Sequence, residues 1–220
     1  VVTARPSYAR IKTALRAIQN HPALELQLVV AASALLDRYG NAVKYIEQDG
    51  FPIAARVYMV LEGENLVTSA KSTGLGLVEL ATVFDNLKPD IVVTVADRYE
   101  TLATAVAASY MNIPVAHVQG GEITGNIDEK VRHAVTKLSN IHFVASQKAA
   151  ERVERMGEAR LIWAGPVTVA GLTRMSNAMS PAACPPVRHT RYMRRSCGIV
   201  RPRLSQNCKR IGSTAVRARQ

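Results

Sequence analysis

The amino-acid sequence predicts an α/β fold: a doubly wound, Rossmann-like parallel sheet with helices on both faces. Three observations indicate it. Short apolar runs rich in β-branched residues recur through residues 1–165, most of them are continuous, and helical patterns fill the intervals between them. Strands alternating with helices at this spacing are typical of doubly wound sheets.

Seven apolar runs are predicted to be strands. Strands buried on both faces of a parallel sheet carry continuous apolar runs, because neither side of the sheet meets water. The predicted strands are residues 1–3, 26–31, 54–60, 91–96, 115–118, 141–145 and 160–164.

Six segments between these runs are predicted to be helices. Ser7 can cap the first helix, which His21-Pro22 ends, and Gly50 follows the end of the second. Lys88-Pro89 ends the third helix. The predicted helices are residues 7–20, 41–48, 77–87, 101–111, 128–138 and 147–156.

The net charge of +11 lies entirely in the last quarter of the chain. Residues 1–165 contain 17 Lys and Arg and 17 Asp and Glu, whereas residues 166–220 contain 11 Lys and Arg and no acidic residue. This basic segment, residues 166–220, also holds all three cysteines, Cys184, Cys197 and Cys208.

Three interpretations of the basic segment differ in the partner they imply. A nucleic-acid-binding arm is usually rich in both Lys and Arg with interleaved aromatics. The basic segment holds one lysine, Lys209, and one aromatic residue, Tyr192, so nucleic acid is disfavoured as a partner. The cysteines lack the short paired spacing of a zinc site, so no metal is predicted. We favour a segment that is disordered or the product of a shifted reading frame, following a Rossmann-like domain of residues 1–165.

Candidate functional residues follow the predicted strands, because ligands of doubly wound sheets bind beyond the carboxyl ends of the strands. Arg5 follows the first strand at a helix start, where it could bind an anion or remain solvated. Asp97 follows the fourth strand, where it could transfer protons or simply cap the next helix.

The densest group of polar residues follows the fifth strand, at residues 117–133. Its three glycines would let a ligand approach the backbone, and Asp128 and Arg132 lie four residues apart on one helix face. The alternative is a pair of surface ion pairs with one core histidine. A proton-transfer site needs acids and imidazoles around one space, and adjacent strand ends can supply Asp97, His117, Glu122 and Asp128.

Four strings of residues in this region carry a family resemblance. They are Asp97-Arg98-Tyr99-Glu100, residues 111–117, Gly120-Gly121-Glu122 and residues 127–139. With the opening Thr3-Ala4-Arg5-Pro6-Ser7-Tyr8, they resemble the hydrolysing UDP-N-acetylglucosamine 2-epimerases, over about residues 1–165.

The resemblance implies the N-terminal half of a two-domain, glycosyltransferase-B-like enzyme. Such an enzyme removes the C2 proton of UDP-N-acetylglucosamine, expels UDP from C1 and adds water to give N-acetylmannosamine for sialic acid and related sugars. It implies a homo-oligomer in the cytoplasm, with no cofactor, metal or membrane partner. A non-hydrolysing 2-epimerase and a non-catalytic sugar-nucleotide-binding half-domain are the alternatives.

The resemblance also implies roles for individual residues. Asp97, His117, Glu122 and Asp128 would be catalytic, and Arg5, Tyr8, Gln119, Arg132 and His133 would bind the substrate.

The sequence departs from the family pattern at two places. Gln119 stands where relatives carry a glutamate, and an amide cannot be a general base, so Glu122 or Asp97 takes that role or the site is impaired. After Gly165, Pro166-Val167-Thr168 stands where the family continues with Cys-Pro-Ser into a second domain. We therefore expect poor turnover or none from this chain.

Overall fold

The computed structural model describes residues 1–63 and 65–158, and the backbone of residues 161–163. The basic segment and the predictions made for it lie outside the described residues.

The strands follow the predicted order along the chain. Each predicted run overlaps a strand, and most strands are shorter than the run at one end or both. The strands are β1 (Val2–Thr3), β2 (Leu28–Ala31), β3 (Ile53–Val57), β4 (Val92–Val95), β5 (Val115–Val118), β6 (Ile141–Val144) and β7 (Leu161–Trp163).

All strand pairs are parallel, which confirms the predicted fold class. Hydrogen bonds join β1, β2 and β3 in that order, and β4, β5, β6 and β7 in that order. β1 lies beside β4, so the strands run 3-2-1-4-5-6-7 across the two sheets. The direction of winding reverses between β1 and β4, and such a switch point is where doubly wound folds bind ligands.

Six α-helices connect these strands. They are α1 (Arg5–Gln19), α2 (Ala42–Gln48), α3 (Leu66–Leu87), α4 (Tyr99–Tyr110), α5 (Ile127–Leu138) and α6 (Gln147–Arg155), with short 3-10 turns at Ala32–Leu35 and Asp37–Tyr39. None of the helices in the described ranges has both the length and the apolar character needed to cross a membrane.

The start of α1 differs from the prediction. Ala4 rather than Ser7 is the N-cap residue, and the Ser7 hydroxyl accepts a hydrogen bond from the Ala4 N–H at 2.9 Å. Ser7 therefore satisfies a free backbone donor from inside the first turn, which is the reciprocal half of a capping box.

The start of α3 also differs, since the helix begins at Leu66 rather than at residue 77. Asn65 caps it by accepting a hydrogen bond from the Thr68 N–H at 3.0 Å. Two glycines weaken the helical pattern of its first half. Gly76 lies against Met59, and a Cβ at this position would lie 2.2 Å from Cε of Met59, so a larger residue here would require the Met59 side chain to move.

The core has a layer on each face of the sheets. Along β2, Val29 and Ala31 pack in the cluster that includes α3 and α4, whereas Leu28 and Val30 pack in the cluster that includes α1 and α2. All four are buried. Burial of both faces explains why the strand runs are continuously apolar.

Candidate active site at the carboxyl ends of β4 and β5

Two strands beside the switch point end in a residue with left-handed backbone conformation. Ala96 follows β4 with φ +69°, and Gln119 follows β5 with φ +68°. The Ala96 N–H donates to the Val118 carbonyl at 2.9 Å, and the Gln119 N–H donates to the Phe143 carbonyl at 2.8 Å. These bonds offset the cost of the turns and fix where each following residue leaves the sheet.

His117 lies fully buried on β5, beneath the turn at Ala96. Its Nε2 lies 2.8 Å from the Ala96 carbonyl oxygen, and its Nδ1 lies 3.3 Å from the Thr136 hydroxyl. A carbonyl only accepts, so Nε2 carries the proton. Burial lowers the His117 pKa to about 4, so the ring is neutral at pH 7. The ring has no exposed surface, and its bond to the Ala96 carbonyl holds the turn that precedes Asp97.

Asp97 forms an ion pair with Arg132, which reaches it from α5. The Arg132 side chain is 4% exposed and that of Asp97 is 16% exposed. Arg132 also donates from Nη1 to the Glu122 carbonyl at 2.7 Å. Burial and the nearby Arg10 cation lower the pKa of Arg132, but a guanidinium remains charged at neutral pH. One arginine thus joins the end of β4 to the loop after β5.

The loop between β5 and α5, residues 119–126, is held by charged side chains from two helices. A carboxylate oxygen of Glu129 accepts from the Thr124 N–H at 2.9 Å and the Gly125 N–H at 2.8 Å. These bonds lower the Glu129 pKa. Arg152 on α6 donates to the Gly121 carbonyl at 3.0 Å.

Two of the three glycines of this loop, Gly120 and Gly121, allow it to pack closely. A Cβ on Gly120 would lie 3.0 Å from the Thr136 hydroxyl and 3.1 Å from Nδ1 of His117. A Cβ on Gly121, which has φ +81°, would lie 2.4 Å from the Ala149 carbonyl oxygen. The glycines are therefore explained by contacts within the protein.

Two further carboxyl groups lie in the first turns of α4 and α5. Asp128 is half-buried, and its N–H donates to the side chain of Asn126, the N-cap residue, at 3.0 Å. Glu100 is 6% exposed, and burial, with a smaller contribution from the charge of Asp128, raises its pKa.

Gln119 and His133 lie beside this group. The Gln119 side-chain oxygen accepts a hydrogen bond from Nη1 of Arg10 at 3.1 Å. His133 is half-buried, and its Nε2 is buried without a hydrogen-bond partner among the described residues.

The two candidates from the first loop are placed differently. Arg5 is exposed in the first turn of α1. Tyr8 is buried, donates its hydroxyl proton to the Asp49 carboxylate and meets the Phe51 ring edge-on. Burial and Asp49 raise the Tyr8 pKa. Since its proton is given to Asp49, this hydroxyl could only accept from a substrate without displacing Asp49, and the substrate-binding role of Tyr8 stays a prediction.

Sequence reasoning did not single out Arg10 or Glu100. Arg10 contacts a residue 109 positions away, and no local pattern marks that approach. Glu100 belongs to the string that carried the resemblance, but its burial is not visible in that string. Its signal is a charged residue in the first turn of a helix that is otherwise mostly apolar.

The arrangement is suited to proton transfer near an anion. The carboxylate of Asp97 and the backbone carbonyl of Glu122 both contact the guanidinium of Arg132, and the exposed guanidinium of Arg5 stands at a helix N-terminus. Among the described residues, no three His, Cys, Asp or Glu side chains form a group that could hold a metal ion.

The known proteins described below, which resemble this chain in sequence or structure, are all 2-epimerases of sugar nucleotides. The family model for UDP-N-acetylglucosamine 2-epimerase matches residues 16–193. The chain is 38% identical over 158 residues to the UDP-N,N'-diacetylbacillosamine 2-epimerase (hydrolyzing) of Legionella pneumophila, covering 72% of this chain and 42% of that protein. It is 32% identical to the UDP-N-acetylglucosamine 2-epimerase of Neisseria meningitidis, covering 71% of this chain and 41% of that protein. The chain thus spans about two fifths of the length of these relatives.

Solved structures share the fold. The UDP-GlcNAc 2-epimerase of Neisseria meningitidis bound to UDP-GlcNAc has a TM-score of 0.67 at 18% identity, covering 83% of this chain and 50% of that chain. The Methanocaldococcus jannaschii enzyme in complex with UDP-GlcNAc and UDP has a TM-score of 0.64 at 23% identity, covering 75% of this chain and 45% of that chain. The described residues thus have the fold of one half of a glycosyltransferase-B-like enzyme, and the chain belongs to the UDP-N-acetylglucosamine 2-epimerase family.

Proposed function

We propose that the chain is the N-terminal half of a hydrolysing 2-epimerase, which converts UDP-N-acetylglucosamine and water to N-acetylmannosamine and UDP. The observation that carries this proposal is the ion pair between Asp97 and the buried guanidinium of Arg132, which also binds the backbone carbonyl of Glu122, beside the switch point. Relatives named as hydrolyzing enzymes, at 38% and 33% identity, support the hydrolysing reaction over the non-hydrolysing one.

The reaction needs a base at C2. Removal of the C2 proton leaves an electron pair that forms the C1–C2 double bond, the C1–O bond breaks, and UDP departs. Water then adds across the double bond. We assign the proton transfers to Asp97, Glu122 and Asp128. We assign a positioning role to His117, because it holds the turn that precedes Asp97 and has no exposed surface.

The departing diphosphate needs positive charge, because cations stabilise the negative charge that develops as the bond breaks. Arg5 and Arg10 are exposed on α1, and Arg132 lies beneath the site. The side chain that Arg10 contacts, Gln119, is neutral, so this contact does not offset the charge of Arg10. The same neutrality prevents Gln119 from serving as the base.

The names of two relatives point to a second candidate substrate. The Legionella pneumophila relative is named for UDP-N,N'-diacetylbacillosamine, as is the relative of Campylobacter jejuni. The chain could therefore belong to an enzyme that acts on this 2,4-diacetamido sugar nucleotide.

The test is incubation of the purified chain with each sugar nucleotide in D2O, with UDP release and the sugar product measured. We expect free sugar labelled with deuterium at C2, formed much more slowly than by the two-domain Neisseria meningitidis relative, because this chain spans 41% of it. Asp128→Asn should abolish the remaining turnover. Asp90→Asn, an exposed aspartate at the opposite end of β4, is the control and should retain it.

Each contrary outcome selects an alternative. Deuterium in a product that keeps UDP would indicate a non-hydrolysing enzyme. Saturable binding without any exchange would indicate a non-catalytic binding half-domain. A rate near that of two-domain relatives would contradict the impaired copy that we infer.

A further inference from the structure

One side of α3 is exposed and largely apolar. The helix packs against α4, and the side turned toward the core buries Leu80 and Phe84. On the opposite side, exposed residues recur every three or four positions along the helix. We call this side the outer face of α3, and it consists of Val67, Ala70, Lys71, Gly74, Val78, Thr82 and Asp85.

The outer face differs from the exposed side of an ordinary surface helix, which carries mostly charged and polar residues. Val67 is 62% exposed and Val78 is 64% exposed. Ala70 and Gly74 add no long side chain that could cover them. Glu79 is exposed as well, but it lies about 100° around the helix from Val78 and so at the flank of the face. Water therefore meets two valines near the middle of this face.

The two charged residues of the outer face are placed symmetrically about Val78. Lys71 precedes Val78 by seven residues and Asp85 follows it by seven, about 10 Å along the helix axis in each direction. Lys71 and Asp85 are thus about 21 Å apart, too far to pair with each other. Neither forms an ion pair with another residue in the described part of the chain.

This spacing makes the outer face complementary to a second copy of itself. In a twofold arrangement the same surface is used by both copies, and each contact occurs twice. If two α3 helices pack antiparallel with the twofold axis at Val78, Lys71 of each copy faces Asp85 of the other. The two Val78 side chains then meet on the axis, and Gly74 faces Thr82, which leaves room for a close approach of the helices.

We propose that the outer face of α3 binds a second copy of this chain, with the twofold axis at Val78. A partner of single charge sign would place a like charge against either Lys71 or Asp85, whereas a second copy satisfies both. The face of one helix is small beside the interfaces of permanent complexes, so we expect a weak dimer that dissociates on dilution. The proposal does not depend on the proposed function.

The test is analytical ultracentrifugation of the 220-residue chain over a series of concentrations. A reductant prevents the three cysteines of the basic segment from cross-linking the chains. We expect a reversible monomer–dimer equilibrium. Val78→Lys places two ammonium groups on the axis and should weaken the dimer by about tenfold or more. Tyr45→Lys is the matched control, because Tyr45 is 61% exposed on α2, on the other side of the sheets, and should leave the equilibrium unchanged.

Charge reversal tests the twofold arrangement itself. Lys71→Asp and Asp85→Lys each place like charges at both ends of the interface, so each variant alone should dimerise more weakly. In an equimolar mixture of the two variants, each chain carries the charges that the other lacks. The mixture should therefore associate like the unchanged chain, and so should the double variant Lys71→Asp/Asp85→Lys.

Three outcomes would overturn the proposal. They are a chain that stays monomeric up to millimolar concentration, a dimer that Val78→Lys does not weaken, and charge variants that fail to associate when mixed. All three substituted positions are exposed, so circular dichroism should show folded variants. If Val78→Lys does not fold, the mixing of the two charge variants still decides. No turnover is measured, so failure here is distinct from failure of the proposed function.

Discussion

At the scale of single residues, backbone conformation decides where the candidate site lies. Ala96 and Gln119 both have positive φ, which alanine and glutamine rarely adopt. Their amide bonds to the neighbouring strand hold them there, and one of them is further held by His117. The sequence predicted that Asp97 follows a strand. Nothing in the sequence indicated that Ala96, which turns the chain toward the site, has a positive φ.

Gly121 offers a residue-level prediction. Gly121→Ala would place a methyl group 2.4 Å from the Ala149 carbonyl oxygen in a residue with φ +81°. Gly125→Ala is the matched control, since Gly125 has φ +73° but no atom within 4 Å of its Cβ position. We expect about 1 kcal/mol of destabilisation for Gly125→Ala from φ alone. Gly121→Ala should cost at least about 3 kcal/mol, because the clash adds to φ.

Denaturant unfolding at constant pH measures both variants. Equal losses of unfolding free energy would mean that α6 moves away freely, and that the close approach of Gly121 to Ala149 contributes nothing.

At the scale of elements, the strands and most helices are predictable, because each carries its own periodicity. The first half of α3 was missed, since Gly74 and Gly76 lower its helical pattern and the close packing of Gly76 against Met59 is not visible in the sequence. The helices that could be predicted still leave open which side chains meet between them. Arg132 on α5 pairs with Asp97 after β4, 35 residues earlier, and the spacing to Asp128 within α5 suggested a different partner.

This ion pair between elements is testable by a double-mutant cycle. Asp97→Asn leaves the buried guanidinium of Arg132 without its counter-ion, and we expect a loss of about 3–5 kcal/mol in unfolding free energy. Arg132→Met removes both the charge and its desolvation cost. The double variant should therefore lose less than the sum of the single losses.

Arg155→Gln provides the control for this cycle. Arg155 pairs with Glu151 on the surface of α6, and such exposed pairs contribute little to stability. Additive losses at Asp97 and Arg132 would mean that the pair does not couple β4 to α5.

At the scale of the whole molecule, the described residues and the basic segment differ in composition. Residues 1–165 are electrically balanced, and residues 166–220 carry the whole net charge of +11. We propose that the Rossmann-like domain ends near residue 165 and that the basic segment is not part of it. The family model, however, matches as far as residue 193, which makes residues 166–193 the part to test.

Two deletions separate these possibilities. If the domain ends near residue 165, removing residues 194–220, or residues 166–220, should each change the unfolding free energy by no more than about 0.5 kcal/mol. A large loss with the longer deletion alone would extend the domain toward residue 193. DNA binding with a steep salt dependence that disappears with residues 166–220 would instead favour a nucleic-acid-binding arm.

The sequence by itself determined the order of strands and helices and the parallel doubly wound class, and it predicted the strand ends at which we propose the chemistry. It could do so because a strand buried on both faces of a sheet carries a continuous apolar run, which can be recognised in the local sequence. Only the tertiary structure decided that Arg132 pairs with Asp97, that Arg10 reaches Gln119 and that Glu100 loses contact with water. These facts depend on how separate elements pack, and desolvation, which sets the protonation of Glu100 and His117, exists only once that packing is complete.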